Sequence, residues 1–347
     1  MNTKINTTGL QATGRYLFPV KNKNKKAASE PFILKKMFYG NGCTIIIPTF
    51  NAEDTIEECL WSIPDAFPPG INLEIIFIDK DSSDNTHEIL FRTMHAMWDL
   101  RREIPFNILK ESGKLGKARL RGIEHAKYAT IFWLDSDIVL PKDYVINLFK
   151  HAEKLLEQGL ISTLADIFGL QGWMNCGSDK YPRQELWHKW WHGYDILQFR
   201  KRGFCDGSPT ADLLNLNDYQ LTSEEKQELS ELSSQEDNYL SAKAISLGYK
   251  LYAVDISVPH LKFSAKNRIN DHEILWLLVG EKDQGRTKLQ ALWHFKWTIM
   301  RGLETFYIYR DFRLVILTFK IWMNTLRVML KDEKIISGER LTSLRDW

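Results

Sequence analysis

Cysteine is scarce in this 347-residue chain, and none of the four copies is spaced as Cys-x-x-Cys. Cys43, Cys59, Cys176 and Cys205 therefore give neither a zinc framework nor a disulfide pattern, and a reducing cytosol is the expected compartment. Long apolar runs are missing too. No stretch approaches the roughly 18 uninterrupted apolar residues of a membrane span. The first residues lack the charged-then-apolar order of a signal peptide. The net charge of +2 excludes no partner until its distribution is read. Repeats of solenoid length are absent. Apolar residues, by contrast, make up 44% of the chain and supply a sizeable core.

Residues 1–40 read as a basic extension around Asn22-Lys23-Asn24-Lys25-Lys26, either a mobile tail or one held near an anionic surface. Order is expected from Cys43-Thr44-Ile45-Ile46-Ile47, an apolar strand stopped by Pro48, which cannot donate to a central ladder. A helix with acidic residues in its first turn follows from Glu53. Leu73–Ile78 is a second strand, and its polar end Asp79–Thr86 can cap a helix over His87–Trp98. Phe106–Lys110 is a third strand, followed by Ser112–Lys117 and a helix through Arg121 to Ala126. Ile131-Phe132-Trp133-Leu134 is a fourth, ending in Asp135-Ser136-Asp137. Alternating strands and helices at this spacing predict right-handed crossovers and a Rossmann-like, mostly parallel α/β sheet flanked by helices.

Several of these strands end in polar clusters on what should be one rim, and that favours a nucleotide pocket. Burying an unpaired carboxylate costs several kcal/mol or more, so Asp135 and Asp137 belong where the strand leaves the core. Two carboxylates flanking a small Ser can offer oxygens to a hard cation. They can equally form a solvated turn that caps the next helix. Lys114, Lys117 or Arg119 could add charge at a phosphate, or lie on a solvated helix face.

Taken together, Ile46–Asn51, Ile78–Thr86, Gly116-Lys117-Ala118-Arg119 with Gly122, and Leu134–Asp137 resemble a family 2 glycosyltransferase of the GT-A fold. The likeness extends to dolichol- and polyprenyl-phosphate sugar transferases. It implies a nucleotide-sugar half over 43–143 and an acceptor half over 144–265, within a catalytic domain of 41–265. By the resemblance Pro48, Thr49, Phe50, Asn51 and Asp79 line the base and ribose, with Asp81 beside them. Asp135 and Ser136 face the donor phosphates, and Lys114 and Lys117 stand as the basic candidates beside them. Asp135 and Asp137 are the family's DXD motif, holding Mn2+ or Mg2+ on the diphosphate. Lys80-Asp81 departs from the Asp-Gly of many members, which leaves the choice of base open.

Beyond residue 145 the pattern loosens. Tyr144–Glu157 reads as a helix closing at Gly159, and 166–207 is rich in aromatics. His188 and His192 are four apart, but no Glu follows the first, so the zinc-hydrolase motif is not met. An aromatic helix over the sheet is the expectation there. Phe204–Pro209 reads as a tight loop. Gln235-Glu236-Asp237 opens a helix closing at Gly248 and resembles the family's Glu-Asp pair, which implies Asp237 as catalytic base with Glu236 as understudy. On local grounds alone these carboxylates are helix caps. Lys250–Val254 is a last strand leading to His260, which fits as a third metal ligand or as a structural hydrogen-bonder.

The third region, 266–347, is expected to be amphipathic helices. Residues 287–331 carry eight Lys or Arg against Glu304 and Asp311, with aromatics interleaved. Arg313, Lys320, Asn324, Arg327 and Lys331 fall on one helical stripe beside a broad apolar arc. That fits a membrane interface, and a hairpin packed on the catalytic domain is the alternative. A nucleic-acid partner is not expected, because no recognition module accompanies the charge.

The resemblance thus implies a peripheral enzyme at the cytoplasmic face of a membrane. It would move sugar from a nucleotide-diphosphate donor to a hydroxyl or phosphate acceptor, lipid-linked or glycan, with inversion. The Gln/Arg-x-x-Arg-Trp motif of processive synthases is missing, which implies one sugar at a time. Two other readings are a nucleotidyltransferase, whose Gly-rich Arg-Lys loop is absent, and a catalytically silent nucleotide-binding partner.

Overall fold

The computed structural model describes residues 42–68, 71–99, 104–163, 166–176, 205–206, 212–216, 220–232, 236–261 and 288–330, with Lys189 and Arg202. The N-terminal extension, His188, His192 and all of the Phe204–Pro209 loop but its 205–206 pair lie outside them. The chain forms two compact units. One comprises Met1–Ser136, Lys142–Gly172 and Asp206–Val254, and the other Asp137–Pro141, Trp173–Cys205 and Asp255–Trp347.

In the first unit, β1 (Cys43–Thr49), α1 (Ile56–Ala66), β2 (Leu73–Asp79), α2 (Thr86–Asp99), β3 (Phe106–Lys110), α3 (Leu115–His125) and β4 (Thr130–Trp133) alternate as expected. The expected α/β class is observed. α4 (Tyr144–Glu157) follows, and β5 (Ile167–Cys176) and β6 (Cys205–Asp206) each cross the unit boundary. Next come β7 (Leu213–Asn215), α5 (Ser223–Ser230), α6 (Glu236–Ser246) and β8 (Lys250–His260), which also crosses it. The sheet order is β3-β2-β1-β4-β7-β5-β8-β6. β3, β2, β1 and β4 are mutually parallel, while β7 runs antiparallel to both β4 and β5.

The chain adds β2 and β3 on one side of β1, then returns to place β4 on the other. Strand order reverses between β1 and β4, and such a switch point opens a crevice at the carboxyl ends of the strands. Pro48 does not stop β1, as the sequence suggests, but lies inside it opposite Ile78. Cys43 N and Thr49 O bond toward β2, whereas Ile46 O accepts from Leu134 N. Residues alternate sides along a parallel strand, so Pro48 faces β4. Pairing with β4 ends at Ile46–Trp133, so the missing N–H falls where no ladder bond is made. The proline thus helps β4 to part from β1 just before Asp135.

Ile45, Ile46, Ile47, Phe77 and Phe132 are fully buried. Phe132 meets Phe67 edge-on at 5.1 Å and Tyr144 at 6.2 Å. α1 buries Ile56, Cys59, Leu60 and Ile63, the one-face spacing of an amphipathic helix. α3 lies close to β1 because Gly122 has no Cβ, which would sit 2.6 Å from Ile46.

The second unit contains α7 (Lys288–Tyr309) and α8 (Arg313–Leu330), which pack as a hairpin. Gly302 and Thr318 make the crossing, where a Cβ on Gly302 would lie 2.2 Å from the Thr318 hydroxyl. Among the described residues no helix is long and apolar enough to cross a membrane.

Candidate active site

At the carboxyl ends of β1 and β2, two loops are laced together. Thr49 Oγ1 donates to Asp79 Oδ1 at 3.0 Å, and Ser82 donates to the same carboxylate from its backbone and hydroxyl. His87 Nε2 lies 3.0 Å from it. Burial alone would raise the Asp79 carboxyl, but these hydrogen bonds outweigh it and hold it below the usual carboxylate range. Asp79 is fully buried, so it organises the 80–86 loop. Asn51 adopts a left-handed φ of 47° and accepts from Ser83 N at 2.9 Å. Asp81 has a φ of 54°, and Asn and Asp tolerate this region best. The exposed faces here are Phe50, with Lys80 Nζ 5.6 Å above its ring, and Asp81, 3.5 Å from Lys110.

The basic residues at the start of α3 have protein partners. Lys114 Nζ reaches Glu231 at 2.8 Å, and Lys117 Nζ reaches the buried Glu111 at 3.0 Å. Gly116 allows a close backbone approach, but to α5: its N–H donates to Leu232 O, and a Cβ would lie 1.9 Å from Leu229 O.

Arg119 occupies the centre. This residue, only 6% exposed, donates from Nε to Glu236 at 3.0 Å and from Nη2 to Asp135 at 2.9 Å. Its guanidinium stacks 4.3 Å from the Trp133 ring, and Nη1 makes no protein hydrogen bond. Burial would lower its pKa, but Asp135, Glu236 and Asp237 outweigh that and raise it. One cation thereby ties the end of β4 to the first turn of α6. Glu236 is buried within the pair, whereas Asp135 and Asp237 keep partial exposure.

Asp212 escaped the sequence reading. The antiparallel β4–β7 pairing brings it beside Trp133, whose N–H donates to Asp212 O at 2.7 Å. Its carboxylate accepts from the buried Tyr144 hydroxyl, which in turn accepts from Gly172 N at 2.5 Å. Burial, with the nearby Asp135 charge adding to it, pushes Asp212 up to about 7. No local motif marks this aspartate, because its neighbour is 77 positions earlier in the chain.

In the second unit, Asp137 Oδ2 and His260 Nε2 lie 3.0 Å apart. The backbone sets this register through an Ile138–His260 bridge and a Leu261 N to Asp137 O bond of 2.7 Å. An oxygen and an imidazole nitrogen are a donor pair suited to Mn2+. Among the described residues no three His, Cys, Asp or Glu gather closely enough to hold an ion. Asp135, the remaining expected ligand, is engaged by Arg119.

Residues 44–208 match the family model described as glycosyl transferase family 2. The chain carries a family 2 glycosyl transferase domain. Over 117 residues it is 32% identical to the poly-beta-1,6-N-acetyl-D-glucosamine synthase of Staphylococcus aureus strain MSSA476, covering 33% of this chain and 27% of that one. Over 110 residues it is 30% identical to the dolichol-phosphate mannosyltransferase of Pyrococcus furiosus, covering 31% and 29%. The chain thus matches less than a third of the length of either relative. A solved mannosyltransferase from Pyrobaculum calidifontis, in complex with GDP-Man and Mn2+, overlaps 87% of this chain and 78% of its own at 15% identity. Its TM-score of 0.46 is too loose to transfer a ligand position.

Proposed function

We propose that the chain is a glycosyltransferase that moves a sugar from a nucleotide-diphosphate donor to an acceptor hydroxyl or phosphate, lipid-linked, at the cytoplasmic face of a membrane. The observation that carries this reading is the Arg119 bridge between Asp135 and Glu236. It ties the end of β4, inside the 44–208 stretch that matches the family 2 model, to the start of α6 beyond that stretch, and the relatives are named as a poly-beta-1,6-N-acetyl-D-glucosamine synthase and a dolichol-phosphate mannosyltransferase.

Asp237 is the base in this proposal. It takes the proton of an acceptor hydroxyl as that oxygen attacks the anomeric carbon. The bond from that carbon to the diphosphate oxygen breaks, its electron pair leaves with the nucleoside diphosphate, and the sugar inverts. Glu236 serves as the counter-ion of Arg119 and fixes the helix start. Phe50 and Asn51 offer an exposed ring and a shaped backbone to the base, with Pro48, Thr49, Asp79 and Asp81 supporting that rim. Asp135 and Ser136, with Lys114 and Lys117 once drawn from Glu231 and Glu111, face the phosphates.

The donor set suits Mn2+ or Mg2+ in part, with Asp137 and His260 as its nearest pair and Asp135 as the third ligand. A bound divalent ion would supply positive charge to the departing diphosphate. The catalytic domain is taken as 41–265, with 1–40 and 266–347 as appendages. The test is nucleoside diphosphate release from a panel of UDP-, GDP- and other nucleotide sugars, with polyprenyl-phosphate acceptors. Release from one donor, with the transferred sugar inverted by NMR, supports the proposal. Release of inorganic diphosphate instead would reassign the chain to nucleotidyl transfer.

A further inference from the structure

The hairpin of α7 and α8 leaves large apolar side chains in water. Ile299, Met300, Leu303 and Tyr307 are exposed on α7, and Phe312, Ile316, Phe319 and Met323 on or just before α8. Leu303 is 53% exposed, Tyr307 64%, Phe312 65% and Phe319 58%. At about 100° per residue the first set spans an arc of about 100°, and the second an arc of about 60°. Over the described side chains, 299–309 of α7 and 313–320 with Met323 of α8, these residues lie on one side of each helix, apart from the Gly302–Thr318 seam where the two meet. Exposed large apolar side chains gathered on one side of a helix mark an interaction site, whereas single scattered ones do not.

We propose that this face docks on an anionic lipid bilayer, its apolar side chains entering the acyl boundary while basic side chains rest on the headgroups. The inference deepens the lipid-linked acceptor reading by naming the surface that would bring the enzyme to it. Charge decides the occupant. Residues 287–331 carry eight Lys or Arg against two acidic residues, and Arg313 already engages one of those acids, Asp311. Two copies meeting through this face would oppose like charge, whereas anionic headgroups complement it. Exposed Lys320 and Arg313 lie on the side of α8 that adjoins the apolar arc. At the hairpin tip, exposed Arg310 stacks 4.6 Å from the Tyr307 ring, a pairing of cation and aromatic suited to an interface.

The test is co-sedimentation of the full chain with vesicles of equal parts phosphatidylcholine and phosphatidylglycerol, and with phosphatidylcholine alone. Donor turnover without vesicles, on a water-soluble short-chain polyprenyl phosphate, is measured beside it. Wild type should pellet with the anionic vesicles, and Leu303→Asp with Phe319→Asp should reduce binding at least tenfold at unchanged vesicle-free turnover on the short-chain acceptor. Tyr307→Asp with Phe312→Asp, at the tip, should do the same, and circular dichroism checks that each variant keeps its helices. Lys320→Glu should weaken binding to anionic vesicles only. Wild type left in the supernatant would overturn the proposal, as would variants that pellet like wild type. A dimer dissolved by the substitutions, with no vesicle binding, would assign the face to a second copy. Turnover failure with intact vesicle binding would count against the glycosyltransferase reading alone.

Discussion

Arg119→Met removes the cation from the centre of the candidate site while keeping most of its volume. Two losses follow, and their sizes differ. Asp135 is partly exposed, so its arm of the pair is worth about 1 kcal/mol at most. Glu236 is 3% exposed, and stripping a buried carboxylate of its partner costs about 3–5 kcal/mol. The Glu236 arm therefore dominates, and the variant should lose about 3–5 kcal/mol in urea unfolding. Adding Glu236→Gln should recover a large part of that loss, because the uncompensated charge is then gone. A double-mutant cycle should give a coupling of about 2–3 kcal/mol between positions 119 and 236. The reasoning is refuted if Arg119→Met costs under about 1 kcal/mol, or if Glu236→Gln deepens the loss instead of relieving it.

Asp212→Asn tests the raised carboxyl. A folded value of about 7 lies above the unfolded value near 3.9, so its contribution is fully present below pH 4 and is lost as pH rises through 7. At pH 8 the variant should exceed wild type by up to about 4 kcal/mol, and at pH 4 the two should melt alike; equal stability at pH 8 would contradict this. Gly116→Ala drives a Cβ to within 1.9 Å of Leu229 O, and should cost about 1–3 kcal/mol in thermal or urea unfolding. Asp237→Asn should slow transfer to a hydroxyl acceptor by a factor on the order of 10² or more while the protein stays folded, as read by steady-state kinetics and circular dichroism.

The parallel half of the sheet was legible in the sequence because each strand is a local apolar run closed by polar residues. Cys43–Thr49, Leu73–Asp79 and Phe106–Lys110 needed no knowledge of their partners. Of the remaining strands, the first half of β8 was legible as Lys250–Val254, and β5 and β7 were not. β7 is three residues long, too short for any period, and β5 carries glycines and aromatics without alternation. The proline in β1 misled for a related reason: its cost depends on whether a neighbour is present on that side, and β4 ends two residues too early to be one. The candidate site divides the same way. Asp135, Asp137, Asp237 and His260 stand at element ends that sequence pattern can find. The partners of Lys114 and Lys117, and the place of Asp212, depend on contacts between distant parts of the chain.

The most direct measurement is donor turnover by the full chain in the presence of a polyprenyl-phosphate acceptor, with Mn2+, Mg2+ or chelator, for wild type and Asp137→Ala. Metal-dependent release of one nucleoside diphosphate, reduced by a factor on the order of 10² or more in the variant, is the expected result. Silence across every donor from protein that still binds a nucleotide would contradict the account, and so would an Asp137→Ala enzyme that turns over like wild type.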